Sequence, residues 1–171
     1  YRDSQGVHGS LSQGIDAEYI WYSNNLNIYV ETIIKLLSLV SNERNGILIV
    51  DDEFSVRDSL YHWFRKDGFR VAAADCAAAE LSELSKSAFD VALLDIKMPG
   101  MDGLELQRRL REVAPDLVTI MITAHGTIET AVEALKNGAF DYVTKPVDPD
   151  ELSRCVTKAL EHRRLKDENA R

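Results

Sequence analysis

Cysteine is nearly absent. Cys76 and Cys155 are the only two in 171 residues, too few for a disulfide framework and too isolated for a thiolate metal site. A reducing compartment, the cytoplasm, is the expected home. Positive charge is also scarce: Lys and Arg total 20 against 28 Asp and Glu, a formal charge of -8. Direct contact with nucleic acid needs a basic face, so nothing in this balance favours it. No long unbroken apolar run occurs. The stretch from Tyr19 to Val40 is interrupted by Glu31 and Lys35 and holds Asn24, Asn25 and Asn27. A membrane span needs about 20 mostly apolar residues, so that reading is rejected. Nor does a basic segment precede this stretch or a small-residue cleavage site follow it, as a signal peptide requires. What remains is ordinary: 45% hydrophobic and 28% charged residues, the balance of a globular chain and not of a collagen-like, low-complexity or disordered one.

Patterning divides the chain near Asn45-Gly46. Residues 1–45 carry three basic and five acidic residues, and residues 46–171 carry seventeen and twenty-three. Tyr1 to Gly14 is polar and aperiodic, a flexible lead-in; it has no starting Met, so an upstream portion is expected. Tyr19, Tyr22, Leu26, Tyr29, Ile33, Leu36 and Val40 then alternate at spacings of three and four. That is a heptad stripe over three repeats, the mark of an amphipathic helix with one face to bury. A dimerising helix, a helix docked on the main domain and an added extension all fit it.

Residues 46–171 alternate between two kinds of segment. Short apolar, β-branched runs occur at Ile47–Val50, Val71–Ala74, Val91–Leu94, Thr119–Ile122 and Tyr142–Val143. Between them lie segments of helical period: Val56–Lys66, Ala78–Ser87, Leu104–Val113, Thr127–Asn137 and Glu151–Leu165. Five strand–helix units in alternation predict an α/β domain with a parallel sheet covered on both faces. Asp148, Pro149 and Glu151 provide N-cap, N1 and the N3 position of a capping box for the last helix.

In an open parallel sheet, ligands bind at the carboxyl ends of the strands, where strand order switches. Asp51, Asp52 and Glu53 follow the first run, Asp95 the third, Thr123 the fourth, and Thr144, Lys145 and Pro146 the fifth. Carboxylates, a hydroxyl and an ammonium should therefore meet in one cleft. Clustered carboxylates repel and take up protons unless a cation sits among them. Lys145 is one cation and can pair with Asp95. The excess of hard oxygen donors suits Mg²⁺, with Mn²⁺ an alternative. A carboxylate flanked by Mg²⁺ and Lys can attack a phosphoryl group, and Thr123 can donate to the transferred oxygens.

These residues resemble the receiver domains of bacterial two-component response regulators. The resemblance is carried by Ile49-Val50-Asp51-Asp52-Glu53, Leu94-Asp95-Ile96-Lys97-Met98-Pro99-Gly100-Met101-Asp102-Gly103, Thr123-Ala124 and Lys145-Pro146, and spans about residues 46–165. It implies a flavodoxin-like doubly wound sheet of five parallel strands, order 2-1-3-4-5, with five helices, plus the N-terminal extension. It implies that Asp95 is the phosphoacceptor and that Asp51, Asp52, Asp95 and the backbone carbonyl of Lys97 hold Mg²⁺. Thr123 and Lys145 would contact the phosphoryl group. Tyr142 would swing inward as Thr123 is drawn to it, and the Lys145-Pro146 bond, which is often cis in this family, would help aim Lys145. The implied partner is a sensor histidine kinase, and the reading face lies on Thr127–Asn137, Tyr142–Val143 and Glu151–Leu165. A homodimer is expected through the heptad helix.

A finer resemblance lies in His125-Gly126-Thr127-Ile128-Glu129-Thr130-Ala131-Val132-Glu133-Ala134-Leu135-Lys136 and Gly138-Ala139-Phe140-Asp141-Tyr142. These are similar to receivers of nitrogen-regulatory-type activators, which work with sigma-54 polymerase and carry an ATPase and a DNA-binding module. Residues 166–171 would then begin a helical linker to an output domain; the phosphate-cradling Gly-rich Lys-Ser/Thr loop of such an ATPase is not in this sequence.

Blander readings compete. Asp51-Asp52-Glu53 alone could be an acidic helix start, Lys145 a surface lysine, and Tyr142 half-buried packing. Their joint placement at strand ends outweighs those readings. His8, His62, His125 and His162 lack a partner at ligand spacing. An aspartyl phosphohydrolase normally carries a second acid two residues after its nucleophile; Lys97 stands there instead, against turnover of an external substrate. A pure interaction module is the remaining alternative.

Overall fold

The computed structural model describes Ile33 and residues 45–77, 79, 84, 87–124 and 127–170. The chain divides into two units, Tyr1–Val40 and Ser41–Arg171. The first, with the lead-in and the heptad stripe, lies outside the described residues apart from Ile33.

In the second unit the elements run β1 (Gly46–Val50), α1 (Phe54–Lys66), β2 (Arg70–Ala74), β3 (Val91–Asp95), α2 (Gly103–Val113), β4 (Val118–Thr123), α3 (Ile128–Lys136), β5 (Asp141–Thr144) and α4 (Pro149–Asn169). All five strands are parallel in the order β2-β1-β3-β4-β5, as expected. Four helices stand where five were predicted; the segment expected over 78–87 falls mostly outside the described residues. Among the described residues no helix is long and apolar enough to cross a membrane.

Strand composition follows position in the sheet. Every residue of the central strands β1 and β3 is buried, whereas the edge strands β2 and β5 are largely half-exposed. Because side chains alternate across a strand, the sheet feeds two cores. Leu48, Val50, Ala92, Leu94 and Met121 pack with Leu104, Leu106 and Leu110 of α2 and Ala134 of α3. Ile47, Ile49, Leu93, Ile120 and Ile122 pack with Leu60 and Phe64 of α1 and Leu152, Val156 and Ala159 of α4.

Helix starts match their cap residues. Asp102 accepts from Glu105 N–H at 2.8 Å, and Asp148 accepts from the N–H groups of Asp150 and Glu151 at 2.9 and 3.3 Å, with Pro149 in the first turn. A complete reciprocal capping box forms at Thr127–Thr130; at Asp148 only the half made by its own carboxylate is present. Chain direction reverses after α1 and α3 at Gly68 (φ 88°) and Gly138 (φ 91°), where side-chain-bearing residues are strained.

Strand β1 is followed by β2 on one side and β3 on the other, so a crevice opens between their carboxyl ends. Val50 pairs with Leu94, and Asp51 and Asp95 therefore emerge side by side. Gly103 braces this corner. Its N–H donates to Ile96 O at 2.9 Å, and a Cβ there would collide with the Asp95 carbonyl. Gly103→Ala is expected to cost about 2–3 kcal/mol in urea unfolding. Gly100→Ala meets no neighbour but keeps a positive φ of 86°, so it should cost about 1 kcal/mol. Equal losses would contradict the close approach at Gly103.

Candidate functional site

The residues singled out in sequence converge at the carboxyl edge of the sheet. Asp51 and Asp52 leave β1, Asp95 ends β3, Thr123 ends β4 and Lys145 leaves β5. Asp51, Asp52 and Asp95 each offer a carboxylate oxygen within 4.8 Å of the others. Asp51 and Asp95 are 2% and 5% exposed, Thr123 is 1% exposed, and Asp52 faces solvent.

One ammonium serves this group. Lys145 Nζ lies 2.8 Å from Asp51 Oδ2, 3.8 Å from Asp95 Oδ1 and 3.9 Å from Glu53 Oε2. The expected pairing with Asp95 is therefore the longer contact, and Asp51 is the nearer partner. The reason is backbone placement. Lys145 N–H donates to Thr123 O at 2.8 Å, which sets where its side chain starts. The Lys145-Pro146 peptide bond is cis. Burial pulls the Lys145 ammonium toward neutrality, but the hydrogen bond it donates to Asp51 and the charges of Asp51, Asp95 and Glu53 outweigh it and hold its pKa above the usual lysine value.

A single cation does not balance the pocket. Asp95 is pushed up from 3.8 to about 6. Burial is the main cause; Asp51 and Asp52 add repulsion, while Lys145 and the backbone N–H of Lys97 act in the opposite direction. Among the described residues, buried Asp51 Oδ2 accepts no hydrogen bond beyond its ion pair with Lys145. Hard oxygens, excess negative charge and one solvent-facing carboxylate fit a divalent cation that keeps some of its waters.

Tyr142, in β5, is half-buried against the core that includes Leu48 and Met121. Its hydroxyl is buried and has no hydrogen-bond partner among the described residues. Two further residues hold Asp51, of which Arg57 was not singled out in sequence. Glu53 N–H donates to Asp51 Oδ1 at 2.9 Å, and Arg57 Nη1 donates to the Asp51 carbonyl at 2.6 Å. The signal for Arg57 was a cation one helical turn past the acidic triplet, which by itself resembles any surface arginine. Beside Lys145 lies a cleft of about 600 Å³, lined in part by Val56, Leu60, Trp63, Ala124 and Val147.

Comparison with known proteins agrees with this fold. Residues 47–157 match the family described as the response regulator receiver domain. The chain is 39% identical over 128 residues to the transcriptional regulatory protein ZraR of Klebsiella oxytoca, covering 75% of this chain and 29% of that protein. It is 44% identical over 124 residues to the regulatory protein AtoC of Escherichia coli K12, covering 72% and 27%. It thus spans under a third of the length of these curated relatives. Among solved structures, a CheY-like receiver domain protein from Methanospirillum hungatei superposes with a TM-score of 0.68 at 33% identity, covering 71% of this chain and 98% of that one. NtrX from Brucella abortus superposes with a TM-score of 0.70 at 36% identity, covering 73% and 29%.

The raised pKa of Asp95 has a consequence for stability. In the unfolded chain the carboxyl titrates near 3.8, in the fold near 6. Well below pH 3.8 the group is protonated in both states and exerts no penalty. As pH rises from about 4 through 6 the unfolded chain gives up the proton that the fold retains, so stability is lost across that window and the loss is complete above 6. Asp95→Asn should stabilise the protein in EDTA by about 2–3 kcal/mol at pH 7.5 and by almost nothing near pH 3. A gain that is independent of pH in urea unfolding would contradict the assigned cause.

Proposed function

We infer the function of this chain from its family: it belongs to the response regulator receiver domain family, and its acidic pocket is the seat of phosphoryl transfer. The observation that carries this reading is the meeting of Asp51, Asp52 and Asp95 oxygens within 4.8 Å, with Lys145 3.8 Å from Asp95.

In this reading Asp95 is the phosphoacceptor and a histidine kinase the donor. An Asp95 carboxylate oxygen attacks phosphorus, the bond from phosphorus to the kinase imidazole nitrogen breaks, and an aspartyl phosphate forms. At neutral pH a carboxyl titrating near 6 is mostly ionised and so nucleophilic. Lys145 neutralises charge on the transferred oxygens, and the Thr123 hydroxyl donates to one of them. Asp51, Asp52, Asp95 and the Lys97 carbonyl would hold Mg²⁺, or Mn²⁺ in its place. When bound, the cation offsets the charge of the carboxylates and of the incoming phosphoryl group. With Lys97 where a hydrolase carries an acid, the chain acts on its own phosphoryl group and not on external substrates.

Phosphorylation adds about -1.5 to -2 charge and shifts an equilibrium between two conformations. The unsatisfied Tyr142 hydroxyl supports a switch role. A buried, unpaired hydroxyl costs about 1–3 kcal/mol, so this side chain's placement is finely balanced. The reading face is formed by α3, β5 and α4, where Ile128 (81% exposed), Val132 and Leu135 line one side of α3 in solvent. Residues 46–165 make up the receiver. Residues 166–171 would begin a linker, a reading that the run of α4 to Asn169 supports. The relatives named as transcriptional regulators support an output module acting on transcription, of the sigma-54 type with ATPase and DNA-binding domains. The heptad segment within 1–45 would dimerise the protein in the cytoplasm.

With Mg²⁺, acetyl phosphate should add one phosphoryl group to the chain, seen by intact mass, and beryllofluoride should change its tryptophan fluorescence. Asp95→Asn should abolish both. No response in the native chain, or a full response in Asp95→Asn, would refute the reading.

A further inference from the structure

We propose that Arg57 is a positioning residue for the cation site: by fixing the Asp51–Asp52 peptide it aims the Asp52 carboxylate into the pocket. This inference rests on the reading that Asp51, Asp52 and Asp95 hold Mg²⁺.

Asp51 is fastened at every polar atom. Its N–H donates to Ala74 O at 3.2 Å, its Oδ1 accepts from Glu53 N–H and its Oδ2 faces Lys145. Asp52 is different. Its side chain is exposed and held by no hydrogen bond among the described residues. Its direction depends on the peptide plane from which it projects. That plane contains the Asp51 carbonyl, and Arg57 Nη1 donates to this carbonyl at 2.6 Å.

Three observations separate Arg57 from an ordinary surface arginine. First, α1 has no side-chain cap at Glu53, and Arg57, from the first turn of that helix, donates back to the Asp51 carbonyl that precedes it, tying the helix entry to the end of β1. Second, Arg57 lies over the Phe54 ring at 5.6 Å, and that ring is 69% exposed. Phe54 acts as a shelf that holds the guanidinium in place. Third, Arg57 pairs with no carboxylate among the described residues, although several are close by in sequence. Its charge rests on a carbonyl, so it orders the ligands without competing for them.

The sign of one measurement distinguishes this role from its rivals. Removing a positive charge beside an acidic site strengthens cation binding if Arg57 acts only through its charge. If Arg57 merely stabilises the helix, the urea midpoint falls and Mg²⁺ affinity does not change. A positioning role weakens binding, because partners that orient metal ligands are worth roughly 10–100-fold in affinity. The experiment is a Mg²⁺ titration of the whole chain by isothermal calorimetry at pH 7.5, with urea unfolding in parallel. Arg57→Gln should bind Mg²⁺ about tenfold more weakly than the native chain. Should Arg57→Gln fail to fold, Arg57→Met, which keeps the apolar stem and removes the donor, carries the same expectation. Unchanged or tighter binding in the folded variant would overturn the proposal. Absence of Mg²⁺ binding in the native chain would instead overturn the cation-site reading itself.

Discussion

An excess of buried negative charge at one end of a parallel sheet governs this structure. Pairing of Val50 with Leu94 brings Asp51 and Asp95 out of adjacent strands at the same level. There they share one ammonium in a setting that strengthens repulsion as much as attraction. An arrangement of this kind opposes folding when nothing is bound. It persists because β1 and β3 are apolar and buried along their whole lengths, and the sheet has a packed core on each face. Local rules are broken where chemistry is needed and kept elsewhere.

Much of the surrounding structure holds those carboxylates in place. At the site end, Glu53, Arg57 and Lys145 engage Asp51, and the Lys97 N–H engages Asp95. Gly103 allows α2 to start directly against the end of β3. At the opposite end of the sheet, Asp90 accepts from Gly46 N–H at 2.6 Å. Arg163 of α4 pairs with the same Asp90 and donates to Phe89 O at 3.1 Å. The two strands that deliver Asp51 and Asp95 are thus fastened at both ends, and α4 is fastened to them. A site with pre-set ligands needs this rigidity, because an error of a few tenths of an ångström in an oxygen position is felt by a small, geometrically strict cation.

The sheet was legible because its strands are short, apolar and bounded by turn residues, and the site because its members all follow strands. The pairing of Lys145 was less legible. Sequence order cannot say which of two adjacent carboxylates an ammonium reaches, and the backbone bond to Thr123 O decided for Asp51. The capping box illustrates a similar limit. Asp148 and Glu151 have the right types and spacing, yet the reciprocal box forms at Thr127 and Thr130. Ile128, Val132 and Leu135 follow a helical period that resembles a core stripe, but they face solvent while Ala134 is buried. Period identifies a helix; which side of it is covered depends on neighbours that are distant in sequence.

What the sequence determined by itself was the alternation of strands and helices, and with it the location of chemistry at strand ends, since both follow from local patterning and the handedness of parallel connections. Only the tertiary structure decided the balance of charge. The degree of burial, the distance from Lys145 to each carboxylate and the contact of Arg57 with a backbone carbonyl arise from how strands and helices meet in space. Electrostatic energy depends on those separations and on the exclusion of water, neither of which is encoded in residue order alone.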